Sequence, residues 1–185
     1  MTLAELIANI GSRLGQAGIP YMIVGSIASS YHGEARATRD LDVVIDPSVE
    51  ALRQFVAALP NDEFYADVDA ALEALRERSQ FNVIDQASGW KVDLVIRKDR
   101  PFSVEEFGRR QPAELVGIPS FVATAEDMII GKLEWAKRGE SERQLRDVAA
   151  MVAIGGEGLD IPYIERWVIA LGLEDGWRQT RGEAG

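Results

Sequence analysis

The sequence contains no cysteine and only one histidine, His32. Without cysteine there are no disulfides and no thiolate metal sites, and a single histidine argues against a histidine-based zinc site or a Ser-His-Asp triad. Long apolar runs are also absent, and the N-terminal segment carries Glu5 in an amphipathic pattern where a leader would have an apolar block. We therefore expect a cytoplasmic protein with no membrane association.

An excess of basic residues is lacking as well. The 20 lysines and arginines are outnumbered by 30 aspartates and glutamates, which gives a net charge of −10. This balance argues against nucleic-acid binding through a broad basic surface, although it is compatible with a local basic patch. With 185 residues, 46% hydrophobic and 27% charged, the chain has the composition of a globular protein that buries a substantial core.

What the sequence does contain is a stretch, Tyr21 to Asp46, in which two apolar runs flank a polar segment. The first run ends at a Gly-Ser pair, and after thirteen residues the second run begins with Asp40-Leu41-Asp42. Because side chains alternate across a strand, Asp40 and Asp42 share one face. Carboxylates suit Mg²⁺ or Mn²⁺, which bind through one or two of them plus the phosphates of a substrate. The alternative is the edge of a β-hairpin with solvated aspartates.

The Gly-Ser pair, Gly25 and Ser26, supplies the other groups that a phosphate site needs. Glycine lets the backbone approach a phosphate closely, the turn offers backbone N–H groups, and the serine adds a hydroxyl. A short helix predicted over residues 27–31 begins at this turn, with the positive end of its dipole at the expected phosphate position. The pattern indicates a phosphoryl-transfer site.

A third aspartate, Asp93, interrupts the apolar run KVDLVI within a strand predicted over residues 90–96. A buried charge without partners is costly, so three carboxylates directed at one place suggest a shared cation. The alternative is a half-exposed strand with Asp93 on its wet face.

The polar segment 32–39 reads as a loop that holds Arg36, Thr38 and Arg39. The two arginines either hold phosphates or a nucleic-acid backbone, or are solvated and neutralise the nearby aspartates. Both interpretations stay open from the residues alone.

A helical hairpin is predicted near the C-terminal end, with helices over residues 124–138 and 141–154. Lys132 and Asp147 lie about seven residues on either side of its turn, and at a rise of about 1.5 Å per residue they stand at the same level on antiparallel helices. On geometry alone, an interhelical salt bridge or two solvated residues would explain them.

Together these residues resemble the signature of the nucleotidyltransferase superfamily related to DNA polymerase beta. That signature reads hydrophobic, Gly-Gly/Ser, a spacer of about nine to thirteen residues, then Asp-hydrophobic-Asp/Glu-hydrophobic, followed by a third acid on a later strand. Within the superfamily, the sequence from Arg36 to Asp40, with Lys132 and Asp147, resembles the AbiEii-type branch, whose best-known members are toxins of toxin–antitoxin systems.

The resemblance implies an α/β (α+β) fold, with a small mixed, twisted sheet flanked by helices. We expect a catalytic core over residues 1–120, a helical C-terminal part over 121–171 packed on it, and a flexible tail over 172–185. The implied reaction transfers a nucleoside monophosphate from a triphosphate such as ATP to a hydroxyl of RNA, tRNA, a protein or a small molecule. An antitoxin or another cognate protein is the implied partner.

The resemblance also assigns residues to roles. The expected metal ligands, for Mg²⁺ or Mn²⁺, are Asp40, Asp42 and Asp93. The expected catalytic residues are Asp40, Asp42, Asp93, Lys132 and Asp147. The expected nucleotide-binding residues are Gly25, Ser26, Arg36, Thr38, Arg39 and Lys132. A non-catalytic, antitoxin-like interaction module and a metal-dependent phosphohydrolase fit the same carboxylates. The chain is short for the AbiEii-type branch, and it is acidic where an enzyme that modifies tRNA would need a basic surface.

Overall fold

In the computed structural model, the chain is described over residues 1–33, 38–139 and 142–182. It divides into two compact units: Met1–Ile27 with Ala37–Ala123, here called the sheet unit, and Ala28–Arg36 with Thr124–Gly185, here called the helical unit. The strands are β1 Tyr21–Val24, β2 Asp40–Ile45, β3 Phe64–Ala66, β4 Gln80–Asp85, β5 Lys91–Ile96, β6 Gln111–Leu115 and β7 Ile118–Val122.

Helices account for most of the remaining described residues. They are α1 Leu3–Gln16, α2 Gly25–Tyr31, α3 Val49–Ala57, α4 Val68–Glu77, α5 Pro101–Gly108, α6 Ala125–Gly139, α7 Glu142–Gly155, α8 Ile161–Leu171 and α9 Glu174–Thr180. Within the described ranges, none of them combines the length and the apolarity that crossing a membrane requires.

The sheet unit is built on one mixed sheet of seven strands in the order β3-β4-β5-β2-β1-β7-β6. β2 runs parallel to β5 and antiparallel to β1, while β1 and β7 are parallel. The α/β class with a mixed sheet and helices, which the sequence predicted, is confirmed. β2 and β5 lie at the centre of the sheet, so any residues they carry are held by paired strands on both sides.

Alternation along the two central strands separates an apolar face from a polar one. Leu41 and Val43 of β2 stand beside Val92 and Leu94 of β5, and all four are at most 1% exposed. Helix α1 buries its own apolar stripe, and α1 contacts β7 while α4 contacts β4. Side chains one position along from these apolar residues therefore point to the opposite face of the sheet.

In the helical unit, α6 packs on α7, α8 and α9. The buried apolar residues include Ile129 and Leu133 of α6, Val148 of α7 and Ile164 of α8. Thr124 begins α6 as the sequence predicted, because its hydroxyl accepts a hydrogen bond from the Asp127 backbone at 3.2 Å.

The structure differs from the sequence prediction at the C-terminal end. Residues 174–180, which were expected in a flexible tail, form α9, and Trp177 is 5% exposed. Burial of one large aromatic side chain supplies the packing energy that a short, polar segment otherwise lacks.

Three further elements were not predicted: β3, α5 and β6. β6 contains Pro112 and Glu114, a composition that argues against a central strand, yet β6 lies at the edge of the sheet, where proline is tolerated. Helix α5 starts with Pro101, which is favoured at the first helical position.

Candidate active site

The polar face of the two central strands carries four charged side chains in adjacent positions. The parallel register places Asp40 opposite Lys91 and Asp42 opposite Asp93. Residues two apart on a strand share a face, so all four side chains project from the same side of the sheet. Asp40 is exposed, Asp42 and Lys91 are half-buried, and Asp93 is buried.

Lys91 lies between two of the aspartates. Its Nζ is 2.9 Å from Oδ2 of Asp93 and 3.7 Å from Oδ1 of Asp40. The hydrogen bond to Asp93 raises the pKa of Lys91; burial offsets part of that shift, and the charges of Asp93, Asp40 and Asp42 add to it. The ammonium is therefore held in its charged form by the carboxylates around it. Lys91 was not selected from the sequence, although its spacing of two from Asp93 places both on one face.

The second oxygen of Asp93 is in an unusual position. Oδ1 is buried and has no hydrogen-bond partner among the described residues. A buried carboxylate oxygen without a partner is energetically costly, and such groups are rare in native proteins. A cation is a ligand that would satisfy it.

Gly25 shapes the space next to Asp42. It has φ +67°, and a Cβ at this position would lie 2.0 Å from Oδ2 of Asp42. Val24, the residue before it, stands opposite Asp42 in the antiparallel pairing of β1 and β2. Only glycine allows both the left-handed backbone and the close approach of the carboxylate. Gly25 and Ser26 are the first two residues of α2, whereas the sequence predicted a turn at this pair and a helix over residues 27–31.

The structure does not gather all three predicted metal ligands into one cluster. Among the residues it describes, no group of three or more His, Cys, Asp or Glu side chains stands close enough to hold a metal ion. Asp42 and Asp93 are side by side on paired strands, whereas Asp40 lies one pair along, next to the Lys91 ammonium. The two adjacent carboxylates, the unsatisfied oxygen and the hard-oxygen chemistry still fit Mg²⁺, which takes one or two carboxylates plus substrate phosphates.

Asn82 is a further polar residue that sequence reasoning missed. It pairs with Asp93 from the β4 side and is exposed. Polar Gln80 and Asn82 alternate with buried Phe81 and Val83, and that alternation was the available signal.

The structure describes part of the loop that precedes β2. Thr38 accepts a hydrogen bond from the Asp40 backbone N–H at 3.1 Å, so it turns the chain into β2. The backbone oxygen of Arg39 accepts from the Lys91 N–H at 3.2 Å, and Arg39 is exposed. Arg36 lies outside the described residues. Nucleotide binding by Thr38, Arg39 and Arg36 stays a prediction.

The helical unit contains the other predicted pair. Nζ of Lys132 on α6 lies 2.7 Å from Oδ2 of Asp147 on α7 and 3.5 Å from Oε1 of Gln144. Both charged residues are 8% exposed. The pair is thus a buried interhelical ion pair, and its contribution to a reaction stays a prediction.

Comparison with known proteins gives a result for structures but none for sequences. No protein-family profile matches the chain, and no curated protein sequence matches it significantly. An antigenic nucleotidyltransferase-like protein from Paracoccidioides brasiliensis superimposes with a TM-score of 0.58 at 17% identity, over 96% of this chain and 90% of that one.

Two structures of the antibiotic-resistance factor ANT(2″)-Ia also superimpose. The solution structure has a TM-score of 0.55 at 13% identity and covers 97% of this chain and 96% of its own. The crystal structure with adenylyl-2″-tobramycin has a TM-score of 0.53 at 14% identity, over 96% and 99%. Similarity at this level of identity establishes the fold alone: the chain has the fold of nucleotidyltransferase-like proteins.

Proposed function

We propose that the protein is a metal-dependent nucleotidyltransferase that moves a nucleoside monophosphate from a nucleoside triphosphate to a hydroxyl acceptor. The observation that carries the proposal is the buried, unsatisfied Oδ1 of Asp93 on the strand next to Asp42. The Gly25-Ser26 turn lies at the end of β1, directly against the Asp42 carboxylate. The adjacency of the acid pair and the Gly25-Ser26 turn supports transfer from a nucleoside triphosphate to a hydroxyl.

The metal site of this proposal centres on Asp42 and Asp93, with Asp40 as the third carboxylate. When bound, Mg²⁺ or Mn²⁺ supplies charge neutralisation for the phosphates and lowers the pKa of the attacking hydroxyl. The backbone of Gly25 has no side chain to keep a phosphate away, and the Ser26 hydroxyl is a hydrogen-bond donor to it.

The chemical step exchanges a phosphoanhydride bond of the triphosphate for a phosphate ester bond to the acceptor. The acceptor oxygen forms a bond to the α-phosphorus, the bond from that phosphorus to the bridging oxygen breaks, and pyrophosphate leaves with the bonding electrons. The carboxylate of Asp93 takes the proton of the acceptor hydroxyl. The protein itself forms no covalent bond in this step, so the positioning of the reactants and the stabilisation of charge dominate the rate.

Transfer of label from the nucleotide tests the proposal. The full chain is incubated with each nucleoside triphosphate labelled at the α-phosphate, Mg²⁺ and a cell extract, and the products are separated into RNA, protein and small molecules. We expect label on one class of acceptor, lost in Asp42→Asn. Asp62→Asn, the same change at an exposed turn residue, is the matched control and should transfer as the wild type does.

Two results would contradict the proposal. One is the absence of transfer with every nucleotide while the protein is folded and binds a stoichiometric protein partner, which is the behaviour of an interaction module. The other is transfer that survives in Asp42→Asn at the wild-type rate, because the reaction would then not depend on this carboxylate.

A further inference from the structure

The side-chain ammonium of Lys91 is a positive charge positioned among the carboxylates of the candidate metal site. Its ammonium joins Asp93 Oδ2 at 2.9 Å and Asp40 Oδ1 at 3.7 Å, and so bridges two strands. A divalent ion shared by these carboxylates would occupy the same region, because both cations are attracted by the same oxygens.

The strand register fixes Lys91 on this face. It stands directly opposite Asp40 in the parallel pairing of β2 and β5, and it precedes Asp93 by two residues on one strand. The backbone cannot move it away without breaking the central pairing, which the buried apolar face holds in register. The side chain, however, is 38% exposed, and a lysine stem is long enough to swing its charged end into water.

Charge at the site depends strongly on this one residue. The three carboxylates of Asp40, Asp42 and Asp93 and the ammonium together carry a net charge of −2, and without Lys91 the carboxylates carry −3. Three carboxylates without a cation repel one another, so the ammonium stabilises the protein in the absence of metal. The same ammonium repels an incoming divalent ion.

We propose that Lys91 is a built-in competitor for the divalent ion, which neutralises Asp93 and Asp40 in the metal-free protein and withdraws from Asp93 when the ion binds. Its withdrawal frees Asp40, which is paired with Lys91 in the structure, to join the metal ligands. The inference rests on the metal site of the proposed function and adds to it a residue that weakens metal affinity.

A purely structural role for Lys91 makes a different prediction. If the lysine only ties β2 to β5 as a cross-strand ion pair, its removal lowers stability and leaves metal affinity unchanged. Metal affinity, measured without nucleotide, therefore separates competition from strand pairing, and it does not depend on finding the acceptor.

The experiment titrates Mn²⁺ into the full chain and follows free Mn²⁺ by electron paramagnetic resonance. We expect Lys91→Gln to bind Mn²⁺ about fivefold more tightly than the wild type, the effect of removing one partly exposed charge. Lys91→Arg keeps the charge and should bind no more tightly than the wild type. Arg53→Gln removes an equal charge from the exposed side of α3 and should leave the affinity unchanged.

Each result bears on the proposal in a defined way. Equal affinity in the wild type and Lys91→Gln overturns the inference, and if that binding is lost in Asp42→Asn the proposed metal site stands. Absence of Mn²⁺ binding in both the wild type and Lys91→Gln overturns the inference and counts against the proposed function as well. If Lys91→Gln does not fold, the side-chain ammonium signal of Lys91 in the wild type is followed by NMR during a Mg²⁺ titration, and an unchanged signal overturns the inference.

Discussion

At the scale of single residues, the candidate site depends on a glycine, which has no Cβ, and on a carboxylate oxygen without a hydrogen-bond partner among the described residues. Gly25 has φ +67° and leaves room for Oδ2 of Asp42, and Oδ1 of Asp93 is buried without a hydrogen-bond partner among the described residues. Neither feature contributes to stability by itself. Both features fit a cation that binds Oδ1 of Asp93 and a phosphate that approaches the Gly25 backbone.

Gly25→Ala should abolish metal binding as well as lower stability. The left-handed backbone costs an alanine about 1 kcal/mol, and the new Cβ also displaces the Asp42 carboxylate. Gly89→Ala is the matched control, since Gly89 has φ +73° with no atom within 4 Å of the added Cβ. Urea denaturation and Mn²⁺ titration of both variants check this, and Mn²⁺ affinity as high in Gly25→Ala as in Gly89→Ala would contradict it.

Sequence reasoning reached some of these residues because their signals are local. Asp40 and Asp42 share a face in any strand, and Asp93 stands out in an apolar run. Lys91 was missed because its place beside Asp40 depends on the register of two strands far apart in the chain. The close approach of Gly25 to Asp42 was not predicted, because it requires β1 and β2 to be paired.

At the scale of elements, the site rests on β1, β2 and β5, and the helical unit holds its own buried charges between α6 and α7. Helix rise alone predicted that Lys132 and Asp147 lie at the same height along two antiparallel helices. The observed distance of 2.7 Å between Lys132 Nζ and Asp147 Oδ2 agrees with that prediction. β6 and α9 could not be predicted in this way. Proline is acceptable in β6 because the strand is at the edge, and α9 is stabilised by burial of Trp177.

Lys132→Met should destabilise the helical unit strongly. The substitution leaves the Asp147 carboxylate buried without its ammonium, and breaking a buried pair in this way costs about 3–5 kcal/mol. Chemical denaturation followed by circular dichroism measures the loss. The double variant Lys132→Met/Asp147→Leu should recover most of the stability, and a single variant within about 1 kcal/mol of the wild type would contradict the prediction.

Burial of the Tyr21 side chain should make stability sensitive to alkaline pH. Burial raises the pKa of Tyr21 above its ordinary value of 10.0, and a hydrogen bond with Ser120 offsets part of the shift. Above pH 10 the unfolded chain loses the tyrosine proton first, so unfolding becomes more favourable as pH rises and the stability contribution is lost through the folded pKa.

Urea denaturation at pH 9 and pH 11 tests the contribution of Tyr21. The fall in stability between these two values should be smaller in Tyr21→Phe than in the wild type. Tyr65→Phe, at an exposed position, should show the full fall. An identical fall in all three proteins would contradict the assignment to Tyr21.

At the scale of the whole molecule, the mixed sheet and its helices establish a fold shared with nucleotidyltransferase-like proteins. The fold class followed from the resemblance of the Gly25-Ser26 and Asp40-Leu41-Asp42 motif to the nucleotidyltransferase superfamily, while apolar periodicity and turn residues specified most of the individual elements. The acceptor could not be predicted from the sequence, because its recognition depends on surfaces that no short motif encodes. A fold supports many activities, so the function has to be tested at the site.

Divalent metal should stabilise the folded chain through Asp93. At about 100 times Kd, binding adds about 2.7 kcal/mol, which raises the Tm of a chain of this size by about 5–10 °C. Asp93→Asn should show no such rise, and Asp62→Asn should show all of it. Equal rises in Asp93→Asn and the wild type, measured by differential scanning calorimetry with MgCl₂ or MnCl₂, would place the metal elsewhere.

The most direct test of nucleotidyl transfer runs the same reaction twice in parallel, once with the triphosphate labelled at the α-phosphate and once with it labelled at the γ-phosphate. We predict that the α label appears on the acceptor and the γ label in pyrophosphate in equal amounts, and that Asp42→Asn and Asp93→Asn abolish both. Release of the γ label as inorganic phosphate, with the α label retained in a nucleoside diphosphate, would contradict the account, because water rather than an acceptor hydroxyl would then be the nucleophile.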